Sequence, residues 1–284
     1  MIPAPFDYTA PSTVQEAVAA LDEAGEDAAV LAGGQSLLPV LRMRMADPEV
    51  VVDLGNIAAL RGVREEGGSL VIGAMTSHHD VLHDPLVRQH AELLALATRT
   101  VADPQVRHRG TFGGSLAHAD PAGDLPAPAL ALDAEMVVAG PGGQRTVPAA
   151  EFFVDHFTTA VEANELLVEV RMPKWTGWRA HYEKFNRVAQ AWSMVGVAAA
   201  ARVERGTIAE ARIGLTNMGS TPIRASGVER ALLGRPATAE SIRQAARHAT
   251  EGTGASSDAS ADVDYREHLA VVLTGRAVGA VAGA

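Results

Sequence analysis

The sequence predicts an α+β fold, and three observations support this prediction. A strand-like run at residues 28–31 is followed by a glycine turn, a helix-like run and a second apolar strand at residues 50–53. Short runs separated by glycine turns, at residues 63–73 and 135–147, are typical of β-hairpins. Strand-like runs within residues 181–216 precede stretches with apolar residues at helical spacing, so we expect a C-terminal part with a small antiparallel sheet and helices.

The N-terminal third begins with a predicted helix. A capping-box pattern at residues 12–15 precedes apolar residues at helical spacing, and Gly25 ends the run. Because a helix separates the strands at residues 28–31 and 50–53, we expect these strands to be parallel. The glycine turn then lies at the carboxyl end of a strand, where α/β sheets usually bind ligands.

A break in the pattern at residues 173–178 predicts a domain boundary. The preceding run at residues 166–172 alternates like a half-buried strand, whereas the break contains Pro173, Gly177 and two tryptophans. These tryptophans either stack on a ligand or anchor the connection to the next domain. The predicted domains are residues 1–174, with subdomains of about 1–56 and 57–174, and residues 175–284. The C-terminal helices are expected at residues 224–233, 239–249 and 263–280.

Composition excludes several classes of protein. The net charge of −10, with no run of Lys or Arg, argues against binding to nucleic acid or to an anionic membrane face. The chain has no cysteine, which excludes disulfides, thiolate zinc sites and Cys-ligated iron–sulfur clusters within it. No uncharged apolar stretch approaches the roughly 20 residues that cross a bilayer. No secretory signal is recognised, so we expect a soluble, cytoplasmic protein.

Two glycine motifs are the candidate ligand-binding elements. The first is the turn after the strand at residues 28–31, and the second lies in mid-chain. Their residues are Ala32, Gly33, Gly34, Gln35 and Ser36, and Thr111, Phe112, Gly113, Gly114 and Ser115. A glycine backbone can adopt positive φ and bring bare N–H groups close to a phosphate or a flat ring. A strand, a glycine turn and a helix N-terminus together favour an anion, so a diphosphate ligand is expected to use both motifs.

The spacing of these glycines argues against the Rossmann and Walker sites. Downstream of the second motif, Asp124 precedes an apolar run and is predicted either to cap a helix or to accept from a ligand hydroxyl. The adjacent histidines His78 and His79 point in different directions on a helix, and no acid or cysteine completes a metal site there. We therefore predict no metal ligands and no catalytic side chains in this chain.

The two motifs resemble the FAD-binding signatures of the flavoprotein (medium) subunit of the carbon monoxide dehydrogenase and xanthine dehydrogenase family of molybdenum hydroxylases. The resemblance includes residues 102–110, which lead into the second motif, and covers essentially the whole chain. It implies a two-subdomain FAD-binding fold of the PCMH (vanillyl-alcohol oxidase-like) type, followed by a C-terminal flavoprotein domain. It also implies that Asp124 contacts the flavin and that Leu167 lies at the ring edge.

A third motif, at residues 182–192, extends the resemblance into the C-terminal part. Lys184, Arg187 and Trp192 match the family pattern, whereas Ala191 stands where an acid is common. The resemblance implies that Lys184 and Trp192 lie at the flavin ring. A lysine there would favour the anionic reduced flavin, and an indole stacks on its face, although core packing is an alternative for Trp192.

The resemblance implies that this chain is an oxidoreductase subunit that binds FAD non-covalently. A large partner subunit would carry the molybdenum cofactor and oxidise the substrate, and a small partner subunit would carry [2Fe-2S] clusters. FAD in this chain would pass electrons to an external acceptor, within a dimer of heterotrimers. Two alternatives remain open at this point: a free-standing FAD-dependent oxidoreductase of the same fold, and a flavin-free assembly subunit.

Overall fold

The computed structural model describes residues 2–284, and it begins with a small parallel sheet. The elements of this part are β1 (Asp7–Thr9), α1 (Val14–Ala24), β2 (Ala28–Leu31), α2 (Leu37–Met43) and β3 (Val50–Asp53). The strand order is β1-β3-β2, and both pairs are parallel, which confirms the predicted strand–turn–helix–strand unit. Strand β1 has no counterpart among the predicted elements. The capping box begins one residue later than predicted, because Thr13 is the N-cap and Glu16 closes the box.

A five-stranded antiparallel sheet and a group of helices form the middle of the chain. The strands of this region, including a separate short hairpin of β8 and β9, are β4 (Val63–Glu66), β5 (Ser69–Gly73), β6 (Glu135–Gly140), β7 (Gly143–Pro148), β8 (Phe153–Asp155), β9 (Thr158–Thr159) and β10 (Leu166–Pro173). The helices are α3 (His78–His83), α4 (Pro85–His90), α5 (Glu92–Arg99), α6 (Pro104–Arg109), α7 (Phe112–His118), α8 (Pro126–Ala131) and α9 (Ala149–Phe152). The order β4-β5-β10-β6-β7 confirms both predicted hairpins and places β10 at the centre.

The central strands of the five-stranded sheet are buried on both faces, because their side chains alternate between two cores. Met136 and Val138 of β6 point to the core formed with the helices that follow β5. Val137 and Ala139 point to the core shared with α1 and β3. The sheet therefore joins the N-terminal unit to the helical layer.

The C-terminal part is a four-stranded antiparallel sheet that carries helices on one face. Its elements are β11 (Arg179–Phe185), β12 (Val195–Glu204), β13 (Thr207–Thr216), β14 (Ile223–Arg224), α10 (Ser226–Leu232), α11 (Ala239–Ala246) and α12 (Val263–Ala282). Val195 and Val197 pack under these helices, whereas Tyr182 and Ala198 pack against the helical layer of the middle region. The predicted sheet and helices are present, and each C-terminal helix begins and ends within three residues of its expected bounds. Within residues 2–284, no helix has the length and hydropathy that a membrane span requires.

Candidate functional site

A cavity of about 530 Å³ lies where the two glycine motifs meet. Its walls come from the turn after β2, from α7 and from the segment that leads into β10. Ten of the fourteen residues predicted to bind the cofactor line it: Ala32, Gly33, Gly34, Gln35, Ser36, Thr111, Gly113, Gly114, Ser115 and Leu167. This volume is in the range of small-molecule sites. Residues far apart in the sequence thus form one candidate binding site.

The turn between β2 and α2 presents unpaired backbone donors to this cavity. Gly34 has a φ of 74°, a conformation that side chains disfavour, and α2 begins three residues later at Leu37. None of the backbone hydrogen bonds within residues 2–284 uses the N–H groups of Gly33, Gly34, Gln35 or Ser36. Consecutive free amides beside a helix N-terminus form a binding site for an anion.

The second motif differs from the predicted glycine loop. Its glycines lie in the first turn of α7, and neither has positive φ. The N–H groups of Phe112 and Gly113 donate to the carbonyls of Thr76 and Ala74, each at 2.9 Å. Those of Gly114 and Ser115 donate to the side chain and the carbonyl of Thr111, at 3.1 and 3.0 Å. The protein itself pairs these four N–H groups, and their contact with a ligand stays a prediction.

The glycines of both motifs are required by close packing. A Cβ on Gly33 would lie 2.2 Å from the Arg109 carbonyl oxygen and 2.7 Å from the Cα of Gly110. A Cβ on Gly113 would lie 2.5 Å from the Cβ of Ala74. The two motifs thus fit against neighbouring backbone, and Phe112 is fully buried in the core rather than in the cavity wall.

His78 also lines the cavity, and it is not among the residues predicted to bind the cofactor. Its side chain is 4% exposed, and burial together with the nearby Arg107 lowers its pKa to about 4. The imidazole is therefore neutral at physiological pH. Its backbone N–H donates to the Gly110 carbonyl at 2.9 Å, which ties α3 to the second motif. A pair of adjacent histidines in a sequence does not predict that one of them is buried in the wall of a cavity.

Asp124 lies outside the cavity wall, in a buried network. Its Oδ1 accepts from the Tyr182 hydroxyl at 2.9 Å and from the Ser193 hydroxyl at 2.8 Å. Its Oδ2 accepts from Lys184 Nζ at 2.7 Å. Burial raises the pKa of the Asp124 carboxyl, and the Lys184 ammonium opposes this rise. The predicted helix-capping role is wrong, since α8 begins after Leu125 with no side-chain cap.

Lys184 and Trp192 differ in their surroundings. The side chain of Lys184 is 7% exposed and also donates to the Thr100 carbonyl at 3.2 Å. Trp192 is 58% exposed, in the segment between β11 and β12 that also contains Ala191. Neither residue lines the cavity of the glycine motifs, so their proposed contact with a flavin ring remains a prediction.

Comparisons with known proteins cover the whole chain. Residues 4–175 match the family model described as the FAD binding domain in molybdopterin dehydrogenase, and residues 180–281 match the CO dehydrogenase flavoprotein C-terminal domain. The carbon monoxide dehydrogenase medium chain of Hydrogenophaga pseudoflava is 44% identical over 283 residues, 99% of this chain and 98% of that one. The solved carbon monoxide dehydrogenase of that organism has a TM-score of 0.96 at 45% identity, covering 99% of this chain and 98% of that chain. Quinoline 2-oxidoreductase from Pseudomonas putida 86 has a TM-score of 0.95 at 34% identity, covering 100% and 99% of the two chains.

Proposed function

Because this chain belongs to the family of FAD-binding medium subunits of molybdenum-containing dehydrogenases, we propose that it is the flavin-carrying electron-transfer subunit of such an oxidoreductase. Electrons arrive from the iron–sulfur clusters of a small partner subunit and leave through FAD to an external acceptor. The molybdenum cofactor belongs to the large partner subunit. The proposed assembly is a dimer of heterotrimers.

The observation that carries this proposal is the row of four free amides at Gly33, Gly34, Gln35 and Ser36. They face the shared cavity at the start of α2, and FAD contains a diphosphate that needs several such donors. The residues present therefore fit the cofactor. FAD, when bound, supplies the redox chemistry, and the protein supplies its binding and its surroundings.

The other residues of the cavity have distinct roles in this proposal. The α7 side, through Thr111, Gly113 and Gly114, forms a close-packed wall in which the N–H groups of Gly113 and Gly114 are already paired. Leu167 of β10 adds apolar surface for a flat ring. The neutral His78 adds no charge to this wall, so it does not act as a cation toward the diphosphate, which the amide dipoles hold.

The test compares FAD with riboflavin, which lacks both phosphates, on the full chain freed of flavin. We expect FAD to bind at least about a hundredfold more tightly, since hydrogen bonds to charged groups contribute about 1.5–3 kcal/mol each. The replacement Gly34→Ala strains a residue with a φ of 74° and is expected to weaken FAD binding at least about tenfold.

The matched control is Gly67→Ala, which strains a residue with a φ of 58° in the β4–β5 turn, outside the cavity. It should leave FAD affinity unchanged. Equal affinity for FAD and riboflavin would contradict the diphosphate site, and a chain that binds neither would favour the flavin-free alternative. Turnover of a small substrate by the chain alone would favour the free-standing oxidoreductase.

A further inference from the structure

The network around Asp124 connects two parts of the chain that are far apart in sequence. Asp124 lies between α7 and α8. Two of its three donors, Tyr182 and Lys184, belong to β11, and the third, Ser193, lies shortly before β12. Asp124 is 5% exposed, Tyr182 is 7% exposed and Ser193 is 2% exposed. A carboxylate and an ammonium are thus enclosed together, away from solvent, between the helical layer and the four-stranded sheet.

Two of the three donors of this network, Lys184 and Ser193, are fixed by further bonds. Lys184 Nζ also donates to the Thr100 carbonyl at 3.2 Å, on the helical side of the contact. The Ser193 carbonyl accepts from Asn217 Nδ2 at 2.8 Å, and the Asn217 N–H donates to the Pro121 carbonyl at 2.9 Å. The loop that contains Pro121 and Asp124 is therefore bonded to the C-terminal sheet at several points.

The backbones approach closely at the same contact. A Cβ on Gly214 of β13 would lie 2.4 Å from the Ala127 carbonyl oxygen of α8. This distance leaves no room for a side chain between the sheet and the helix. The polar network thus lies beside a tight backbone contact, and a small displacement of the sheet would break its bonds.

We propose that Asp124 is a positioning residue that locks the C-terminal sheet onto the helical layer and thereby fixes Lys184 and the segment that carries Trp192. All of the bonds that define this lock are made by the protein itself, so the lock forms without FAD. This role differs from direct contact with the cofactor, since protein donors already occupy three of the roughly four acceptor positions of the carboxylate. Removing one partner of a buried ion pair leaves an uncompensated charge, which is strongly unfavourable.

The test is a double-mutant cycle on the full chain without FAD, with Asp124→Asn, Lys184→Met and the two combined. The readouts are thermal unfolding and the rate of native-state trypsin cleavage at Lys174, in the connection between β10 and β11, and at Arg179, the first residue of β11. Each single variant should raise the cleavage rate at least about a hundredfold. The double variant should be cleaved more slowly than the product of the single effects predicts, because it contains no unpaired buried charge.

The matched control is Asp120→Asn, because within residues 2–284 Oδ1 of Asp120 accepts only from Ala122 N–H, in its own loop. Trypsin should cleave the Asp120→Asn variant at the same rate as the unaltered protein. If the effects of the two single variants on the cleavage rate simply multiply in the double variant, the two residues are not coupled and the proposed lock is overturned. An Asp124→Asn variant that resists trypsin normally yet loses affinity for FAD would also overturn it, since that is the signature of a direct ligand.

A single variant that fails to fold still gives a result. In that case the double variant is expected to fold, and the milder Ser193→Ala, which removes one donor to the carboxylate, is expected to show faster cleavage than Asp120→Asn. A double variant no more stable than the worse single variant would overturn the proposal.

Discussion

His78 shows how one buried side chain links the candidate site to the pH dependence of stability. Its Nδ1 has no hydrogen-bonding partner within residues 2–284, and the ring packs against Gly110 at the cavity wall. Burial first, and Arg107 second, lower its pKa from 6.5 to about 4. The folded protein therefore holds a neutral imidazole where the unfolded chain would hold a cation in mildly acidic solution.

This difference predicts the direction of the pH effect. The unfolded chain binds the proton near pH 6.5 and the folded protein only near pH 4, so the free energy of unfolding falls as pH decreases through this window. At pH 5 the loss is about 2 kcal/mol, since one pKa unit corresponds to about 1.4 kcal/mol. His78→Gln should reduce the slope of stability against pH between 6.5 and 4 by about one proton, measured by urea unfolding at each pH.

The control for this prediction is the unaltered protein, and identical slopes in the two proteins would show that His78 protonates equally in the folded and unfolded states. Any packing defect that glutamine introduces changes the free energy of unfolding above pH 6.5 as well, whereas the titration of His78 acts below it. Comparing the two proteins above pH 6.5 therefore separates these effects.

At the scale of elements, α7 depends on a glycine that packs against the loop after β5. A Cβ on Gly113 would lie 2.5 Å from the Cβ and 2.7 Å from the Cα of Ala74. Gly113→Ala should therefore lower the free energy of unfolding by about 1–3 kcal/mol through overpacking. Urea unfolding measures this change, and an unaltered midpoint would contradict the close contact.

Gly275 of α12 provides the matched helical control. The nearest atom to a Cβ at this position is 3.8 Å away, which is ordinary van der Waals contact. Gly275→Ala is expected to raise stability by about 0.5–1 kcal/mol, because alanine loses less backbone entropy on helix formation. The two substitutions are expected to change the free energy of unfolding in opposite directions, which separates the effect of helix propensity from that of packing.

These elements also show which features of the fold the sequence could predict. The β2–α2 unit was predicted correctly because a strand, a glycine turn and a helix are encoded by neighbouring residues. The second motif was wrongly predicted to be a glycine loop, whereas its glycines lie in α7. Gly113 is required there by a contact with Ala74, which no local pattern reveals. The network of Asp124 was likewise beyond a sequence argument, since its three donors lie 58 to 69 residues further along the chain.

For the molecule as a whole, the connection at residues 174–178 is an anchor, as one of the two interpretations of its tryptophans predicts. Trp175 Nε1 donates to the Leu132 carbonyl at 2.9 Å, at the end of α8. Its ring packs edge-on against Trp178 with centroids 4.6 Å apart, and the Arg212 guanidinium of β13 lies 5.3 Å from its centroid. One side chain thus contacts the helical layer and the C-terminal sheet.

This arrangement predicts graded losses of stability. Trp175→Phe keeps an aromatic ring but leaves the Leu132 carbonyl unpaired, and should cost about 1–2 kcal/mol. Trp175→Ala also removes the ring that Trp178 and Arg212 contact, and should cost about 3 kcal/mol or more. Trp192→Phe, at a side chain that is 58% exposed, should change the free energy of unfolding by less than about 0.5 kcal/mol. Guanidinium unfolding of the full chain without FAD measures all three, and a Trp175→Ala variant as stable as Trp192→Phe would show that the connection does not hold the sheet in place.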